Sequence, residues 1–221
     1  LEFALALKVD HYSAYGLTVE DGTLLKSKID AGLTKFPDQD LAGAMYEECM
    51  QIMHDNHFHQ YEISNWAVKE SSRCRHNLQY WQFLPYLGFG AGAHGFYWNL
   101  RTENVKPIPE YIQKINSNLE ARFPAGKACE NVIQLTPWEA LEENVMVSLR
   151  LTQDGVSLNK LESRHGVRID MVFEKQINKL LKNGLLEWHN GGEGLRLTHK
   201  GKLLGNRVFS EFVGNEKPVD Y

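Results

Sequence analysis

The stretch from Trp138 to Phe212 limits the fold most tightly, because its punctuation leaves one order of elements. Apolar residues at helical spacing run from Trp138 to Leu151, and Asp154-Gly155-Val156 interrupts them. A short helix reaches Arg164, a turn follows, and a helix from Met171 to Asn183 is stopped by Gly184. Leu185 to His189 and Leu195 to Thr198 then suit two strands around the turn Asn190-Gly191-Gly192-Glu193-Gly194, and a last helix covers Leu203 to Phe212.

Three helices, a hairpin and a closing helix give the order of a winged helix, so residues 136–221 are expected to form a winged-helix-like α+β domain. Such modules often seat a basic helix in the DNA major groove, which makes a nucleic-acid-binding module one reading to weigh. Twelve Lys and Arg stand against twelve Asp and Glu between Thr136 and Tyr221. The candidate recognition helix carries Lys175, Lys179 and Lys182 beside Asp170 and Glu174. Phosphate binding rewards a basic excess, so nucleic acid is not the expected partner and the module reads better as a packing or docking unit.

Upstream, Leu1 to Val9 suits the end of a helix and His11 to Val19 a strand closed by Asp21-Gly22-Thr23. After Phe36-Pro37-Asp38, Leu41, Met45, Cys49, Ile52 and Met53 define an amphipathic helix to Asp55, and Gln60 to Asn65 follows as a strand. Strand, helix, strand is a βαβ unit, so the fold class expected is α/β, with residues 1–125 forming an arc of an α/β barrel or open parallel sheet. On its second strand Gln60, Glu62 and Ser64 share one face, toward a polar lumen or toward solvent. Ser71 to Phe96 is expected to be a loop leading into one strand, with a helix from about Glu110 to Leu119 and a domain boundary between Pro124 and Pro137. The chain opens inside an apolar pattern, which reads as cut from something longer.

A net charge of −4 recruits neither nucleic acid nor an anionic bilayer, and no apolar run approaches the roughly 20 residues of a spanning helix. No integral membrane segment and a cytoplasmic address are therefore expected. Cys49, Cys74 and Cys129 are an odd, widely spaced set that suits structural thiols in a reducing compartment. Arg73, Arg75 and His76 beside Cys74 are the surroundings that make a thiol reactive. His54, His57 and His59 fall where a helix ends and read as structural.

The segment Cys74-Arg75-His76-Asn77-Leu78-Gln79-Tyr80-Trp81 concentrates ring stackers, guanidinium groups and a possible metal ligand. A large flat carboxylated ligand such as a tetrapyrrole needs an aromatic wall, cations for its propionates and, if it carries iron, an imidazole or phenolate. On residue type alone, Tyr80 and Trp81 as core aromatics and His76 as a hydrogen-bonded loop residue is the simpler reading. Gly90-Ala91-Gly92-Ala93-His94-Gly95 matches a dinucleotide pattern in form, but Phe96-Tyr97-Trp98 follows where a helix is required. The small residues suit either a floor under a cofactor or tight strand packing.

Asp10-His11-Tyr12-Ser13-Ala14-Tyr15-Gly16-Leu17-Thr18-Val19-Glu20-Asp21-Gly22-Thr23 and Tyr61-Glu62-Ile63-Ser64-Asn65-Trp66-Ala67 resemble barrel strands of the oxygen-independent coproporphyrinogen III oxidase family of radical S-adenosylmethionine (SAM) enzymes. Cys74 to Trp81 and Leu87 to His94 resemble the H-N-x-x-Y-W and glycine-alanine motifs of its haem-chaperone-like branch. The likeness runs from Leu1 to about Phe212 and implies the carboxy-terminal half of such a protein. It implies S-adenosylmethionine and a four-iron four-sulfur cluster on a C-x-x-x-C-x-x-C loop in the intact parent. No such triplet is present, so this chain should hold no iron-sulfur ligands and be inactive alone. By the same resemblance Thr18 and His94 fall where relatives contact S-adenosylmethionine. His76, Asn77, Tyr80 and Trp81 match the motif associated with haem or porphyrin, His76 being the implied iron ligand. A haem-acceptor protein is the further partner implied. The alternative within the family is the authentic oxidase, which decarboxylates coproporphyrinogen propionates.

Overall fold

The computed structural model describes residues 1–217. It begins with α1 (Glu2–Leu5), β1 (His11–Ser13), α2 (Leu24–Asp30), α3 (Gln39–Asp55), β2 (His59–Glu62) and β3 (Asn65–Ala67). Asp38 caps α3 by accepting from the backbone N–H groups of Asp40 and Leu41, satisfying donors that the first turn leaves open. The sheet order is β1-β3-β2, and β3 is antiparallel to both neighbours. This corrects the expected parallel pair: α3 joins two strands that run the same way, but a third strand lies between them. The reason is a local hairpin with β2 together with the long-range pairing of β3 with β1. Ile63-Ser64 turns the chain back, and Asn65-Trp66-Ala67, buried at every position, takes the sheltered middle place. The first strand is shorter than expected, stopping at Ser13 and leaving Tyr15, Leu17 and Thr18 exposed on coil. Met50 and Met53 of α3 pack on Trp66, with Tyr12 and Phe58 at the margin.

A single 3-10 turn (Glu70–Ser72) leads to α4 (Arg75–Trp81), then β4 (His94–Tyr97), β5 (Leu100–Asn104), α5 (Ile108–Ile115) and β6 (Cys129–Gln134). The order β4-β5-β6 is antiparallel throughout. A helix thus stands where a loop was expected, and three strands where one was. α4 is too short to display a hydrophobic period, and β6 lacks alternation because its residues are exposed at almost every position.

The remainder comprises α6 (Pro137–Ser148), β7 (Val156–Ser157), α7 (Leu158–His165), α8 (Ile169–Val172), α9 (Glu174–Lys182), β8 (Leu186–His189), β9 (Gly194–Leu197), α10 (His199–Leu203) and α11 (Gly205–Ser210). Thr136 and Glu139 form a reciprocal capping box at the start of α6. The expected helix from Met171 is broken at Phe173, and the expected last helix is two pieces broken at Leu204. β8 and β9 form the expected hairpin, with β7 on the other edge of β9. Trp138 stacks on Phe173 at 5.2 Å, and Phe173 meets Phe212 edge-on at 5.5 Å in the largest apolar cluster. Residues 218–221 of the expected carboxy-terminal domain, and with them the end of its polar tail, lie outside the described residues.

The two parts interlock. Ile63 donates its N–H to the Arg150 carbonyl at 3.2 Å, and Thr152 donates to the Tyr61 carbonyl at 3.1 Å and from its hydroxyl to the Gln60 carbonyl at 2.9 Å. The Ile63 side chain packs into the carboxy-terminal core, and Leu203 packs against the Met50, Met53 and Trp66 cluster.

His165 gives the fold a pH dependence. It lies against Asn144 at 2.9 Å and near the Phe83 ring, and burial, helped by the Arg164 charge, lowers its pKa to about 4. The unfolded imidazole takes its proton as pH falls through about 6.5, whereas the folded one does so only near 4. Its contribution is complete above pH 6.5 and is lost as pH falls through that window. Lowering the pH from 7 to 5 is expected to cost about 1–2 kcal/mol through this group, and His165→Gln should flatten that part of the urea-midpoint profile. An unchanged slope in the variant rejects the assignment.

Candidate functional site

Helix α4 carries the aromatic motif and is held at both ends. At its start the Cys74 N–H donates to the Tyr61 hydroxyl at 3.1 Å, and that hydroxyl lies 2.9 Å from His11 Nε2. Burial pushes the Tyr61 phenol up to about 12, so it remains protonated as a structural hydrogen-bonding group. Arg73 lies over the Tyr61 ring at 5.7 Å and reaches Gln153 and Asp154, which ties this turn to the chain after α6. At the far end the Trp81 carbonyl accepts from Ser148 Oγ at 3.3 Å, and the Arg150 guanidinium covers the Trp81 ring at 4.4 Å.

Between these anchors His76 and Tyr80 stand one turn apart on a common side of the helix, as a spacing of four requires. Their rings meet edge-on at 5.0 Å, with the Tyr80 hydroxyl 3.0 Å from His76 Nε2 and Gln79 Nε2 3.2 Å from Nδ1. Tyr80 also packs edge-on against Tyr86 at 4.6 Å. His76 is exposed, while Asn77, Tyr80 and Trp81 are partly buried. The motif therefore has an anchored aromatic end and a wet imidazole. His76 is a helical residue with side-chain partners rather than a loop residue, and Trp81 is partly a packing residue.

The glycine-alanine run serves strand packing at two of its positions. A Cβ on Gly88 would collide with the His94 carbonyl, and one on Gly95 would lie 2.5 Å from Thr102 Oγ1. Asn104 Nδ2 donates to the Gly88 and Gly90 carbonyls at 3.2 and 3.0 Å, and the Gly90 N–H donates to the Tyr111 hydroxyl. Phe89, 83% exposed, projects at the tip. His94 is exposed, 3.9 Å from Glu103. Thr18 lies on the coil after β1 and His94 on the edge of the second sheet, so the two expected S-adenosylmethionine contacts do not share an element or a sheet.

The sequence alone did not single out a buried polar network beside β2. Ser13 Oγ donates to Asn65 Oδ1, Asn65 Nδ2 donates to Glu62 Oε1, and the Ser64 N–H donates to the same oxygen at 2.9 Å. Glu62 is 0% exposed, and burial raises its pKa against the opposing effect of these bonds. That burial settles the reading of the Gln60, Glu62, Ser64 face at its central residue: Glu62 does not face solvent. The available signal was a carboxylate and a carboxamide three residues apart, on either side of the Ile63-Ser64 turn.

Cys49, Cys74 and Cys129 are free, and among the described residues no group of three His, Cys, Asp or Glu could hold a metal. A cleft of about 550 Å³ lies between α3, β2 and α10, lined by Met50, Phe58, Trp66, Arg196 and Lys202 among others. Its walls include none of the α4 motif residues.

The profile described as HemN C-terminal domain matches residues 135–204. Residues throughout the chain align with Heme chaperone HemW of Bacillus subtilis at 40% identity over 211 residues, 96% of this chain and 53% of that protein. The chain belongs to the HemN-like radical SAM family. It corresponds to the carboxy-terminal half of the family's proteins. Mouse mitochondrial Radical S-adenosyl methionine domain-containing protein 1 is 46% identical over 182 residues, 80% of this chain and 40% of that protein. Coproporphyrinogen III oxidase (HemN) of Escherichia coli, described as a radical SAM enzyme, superposes with a TM-score of 0.64 at 18% identity, over 96% of this chain and 51% of that one. That likeness supports a shared mixed α/β fold. The chain spans about half the length of the curated relatives it matches.

Three dispersed free thiols do not suit a four-iron four-sulfur cluster, which family membership implies for the intact parent, so no step is assigned to a cluster on these residues. The exposed His76 imidazole, whose hydrogen-bond partners are the neutral Gln79 and Tyr80 side chains, does suit an iron-bearing tetrapyrrole as cargo.

Proposed function

We propose that these residues form the tetrapyrrole-handling half of a haem-chaperone-type radical SAM protein. The observation that carries the reading is the exposed His76 imidazole at the free side of a helix whose Trp81 end is anchored. A neutral imidazole is a good axial ligand for haem iron, and its bond to the Tyr80 hydroxyl exchanges readily with water because the site is open. In this reading His76 ligates iron, Asn77, Tyr80 and Trp81 line the macrocycle edge, and the exposed Arg75 pairs with a propionate. The 40% identity to a protein named a heme chaperone supports this over the oxidase, to which the likeness is one of fold at 18% identity.

The finer architecture belongs to the same proposal. Residues 1–125 contribute to an α/β barrel completed by other residues of the intact protein, and residues 136–221 form a winged-helix-like domain. No helix among the described residues is long and apolar enough to cross a membrane, and a cytoplasmic protein that delivers haem to an acceptor protein is the inferred setting. Thr18 and His94 are assigned to the S-adenosylmethionine side of that barrel. When bound in the intact protein, S-adenosylmethionine and the cluster supply radical chemistry; the role of this chain's residues is to bind and orient the tetrapyrrole.

Haem added to the full-length protein should give a shifted Soret band, and His76→Ala should weaken binding at least tenfold, about 1.4 kcal/mol, and remove the ligated spectrum. A full-length protein that decarboxylates coproporphyrinogen while ignoring haem, or a His76→Ala variant with the parental spectrum, rejects the reading.

A further inference from the structure

Arg150 stands where three parts of the chain meet. It follows α6 inside the apolar run Val145-Met146-Val147-Ser148-Leu149-Arg150-Leu151, an unusual place for a charge. Its guanidinium lies 4.4 Å from the Trp81 ring centre and 5.5 Å from that of Phe209 in α11. Its carbonyl accepts from Ile63, the neighbour of buried Glu62, and Glu62 attracts it electrostatically. Arg150 Nε, Trp81 Nε1 and Glu62 Oε2 are all buried with no hydrogen-bond partner in the protein.

Such an arrangement is a poor source of stability. Buried charges lose hydration, and an apolar side chain of similar volume commonly serves a core as well or better. What an aliphatic residue cannot supply is a planar cation over the face of an indole, which favours one orientation of that ring. Ser148, two residues earlier, already holds the Trp81 carbonyl, so the end of α6 and the residues just after it grip both the main chain and the ring of the last residue of α4.

We propose that Arg150 is a positioning residue that sets helix α4 through Trp81, making the carboxy-terminal module responsible for how the His76 and Tyr80 pair is presented. The proposal rests on the tetrapyrrole reading of α4 for its functional consequence, but the positioning itself does not require haem.

The test uses the full-length protein with Arg150→Met, which keeps apolar length against Phe209, and Arg150→Lys, which keeps the charge without the plane. In 5-fluorotryptophan-labelled protein, the resonance assigned to Trp81 by its absence in Trp81→Phe should shift in both variants while that of exposed Trp98 stays in place. Soret titrations should show haem binding about tenfold weaker in both, and Arg150→Met combined with Trp81→Ala should bind no more weakly than Trp81→Ala alone. An unmoved Trp81 resonance, or losses that simply add in the double variant, overturns the proposal. If the resonance moves while His76→Ala and Trp81→Ala leave haem binding intact, the positioning role stands and the haem reading falls.

Discussion

Phe173→Ala is expected to lower the unfolding free energy by about 3–5 kcal/mol, the range for deleting a large aromatic from a core. Phe173 is 0% exposed, sandwiched between Trp138 and Phe212, and sits at the break between α8 and α9. Its ring therefore joins the first helix of the carboxy-terminal part, the α8/α9 corner and the segment after α11. Neither neighbour can fill the space, because Trp138 is fixed at its indole by the Asn215 carbonyl at 2.9 Å and Phe212 is itself buried. Urea unfolding should show a lower midpoint at unchanged slope, and the melting temperature should fall by on the order of 10 °C. A loss below about 1 kcal/mol would mean that the site collapses around the deletion and that the aromatic stack is not a keystone.

Trp66→Ala is expected to cost a similar amount, about 3–5 kcal/mol, in the other core. Trp66 is 1% exposed on the central strand β3, under Met50 and Met53 and edge-on to Tyr46 at 6.2 Å. Its loss should reach further than a cavity, since the preceding residue, Asn65, holds the Glu62 carboxylate and Ser13. Trp66→Phe, which keeps a ring, should recover more than half of the loss. Denaturant melts of the pair check both statements, and equal instability of the two variants would place the effect in the strand backbone rather than in packing.

How much of this was legible beforehand depended on whether a residue's role was local. The helix over Gln39 to Asp55 and the β8/β9 hairpin were readable because period, caps and turn residues agree within each segment. β3 was not, because Asn65-Trp66-Ala67 is three residues long and its place between β1 and β2 is fixed by long-range pairing. The same distinction divides the site. His76, Tyr80 and Trp81 lie within a single short motif and could be picked out together, although the helix that aligns them could not. Arg150 is remote in sequence from Trp81, and in the chain it reads as a lone charge in an apolar run, with nothing to name the ring it covers. The expectation of a parallel sheet failed for a related reason. A strand-helix-strand pattern specifies the direction of two strands without specifying what is inserted between them.

The exchange of Ile63 and Leu203 between the two apolar clusters bears on modularity. Severing the polypeptide near Leu135 would strip one plug from each piece and expose the sockets that received them, together with the unpaired Gln60, Tyr61 and Ile63 backbone groups. Grafting a foreign terminal unit onto residues 1–134 would therefore succeed only if the graft brought its own counterparts of Leu203, Thr152 and the Arg150 carbonyl. On this view the carboxy-terminal part and the sheet beside it are interchangeable together and not one at a time.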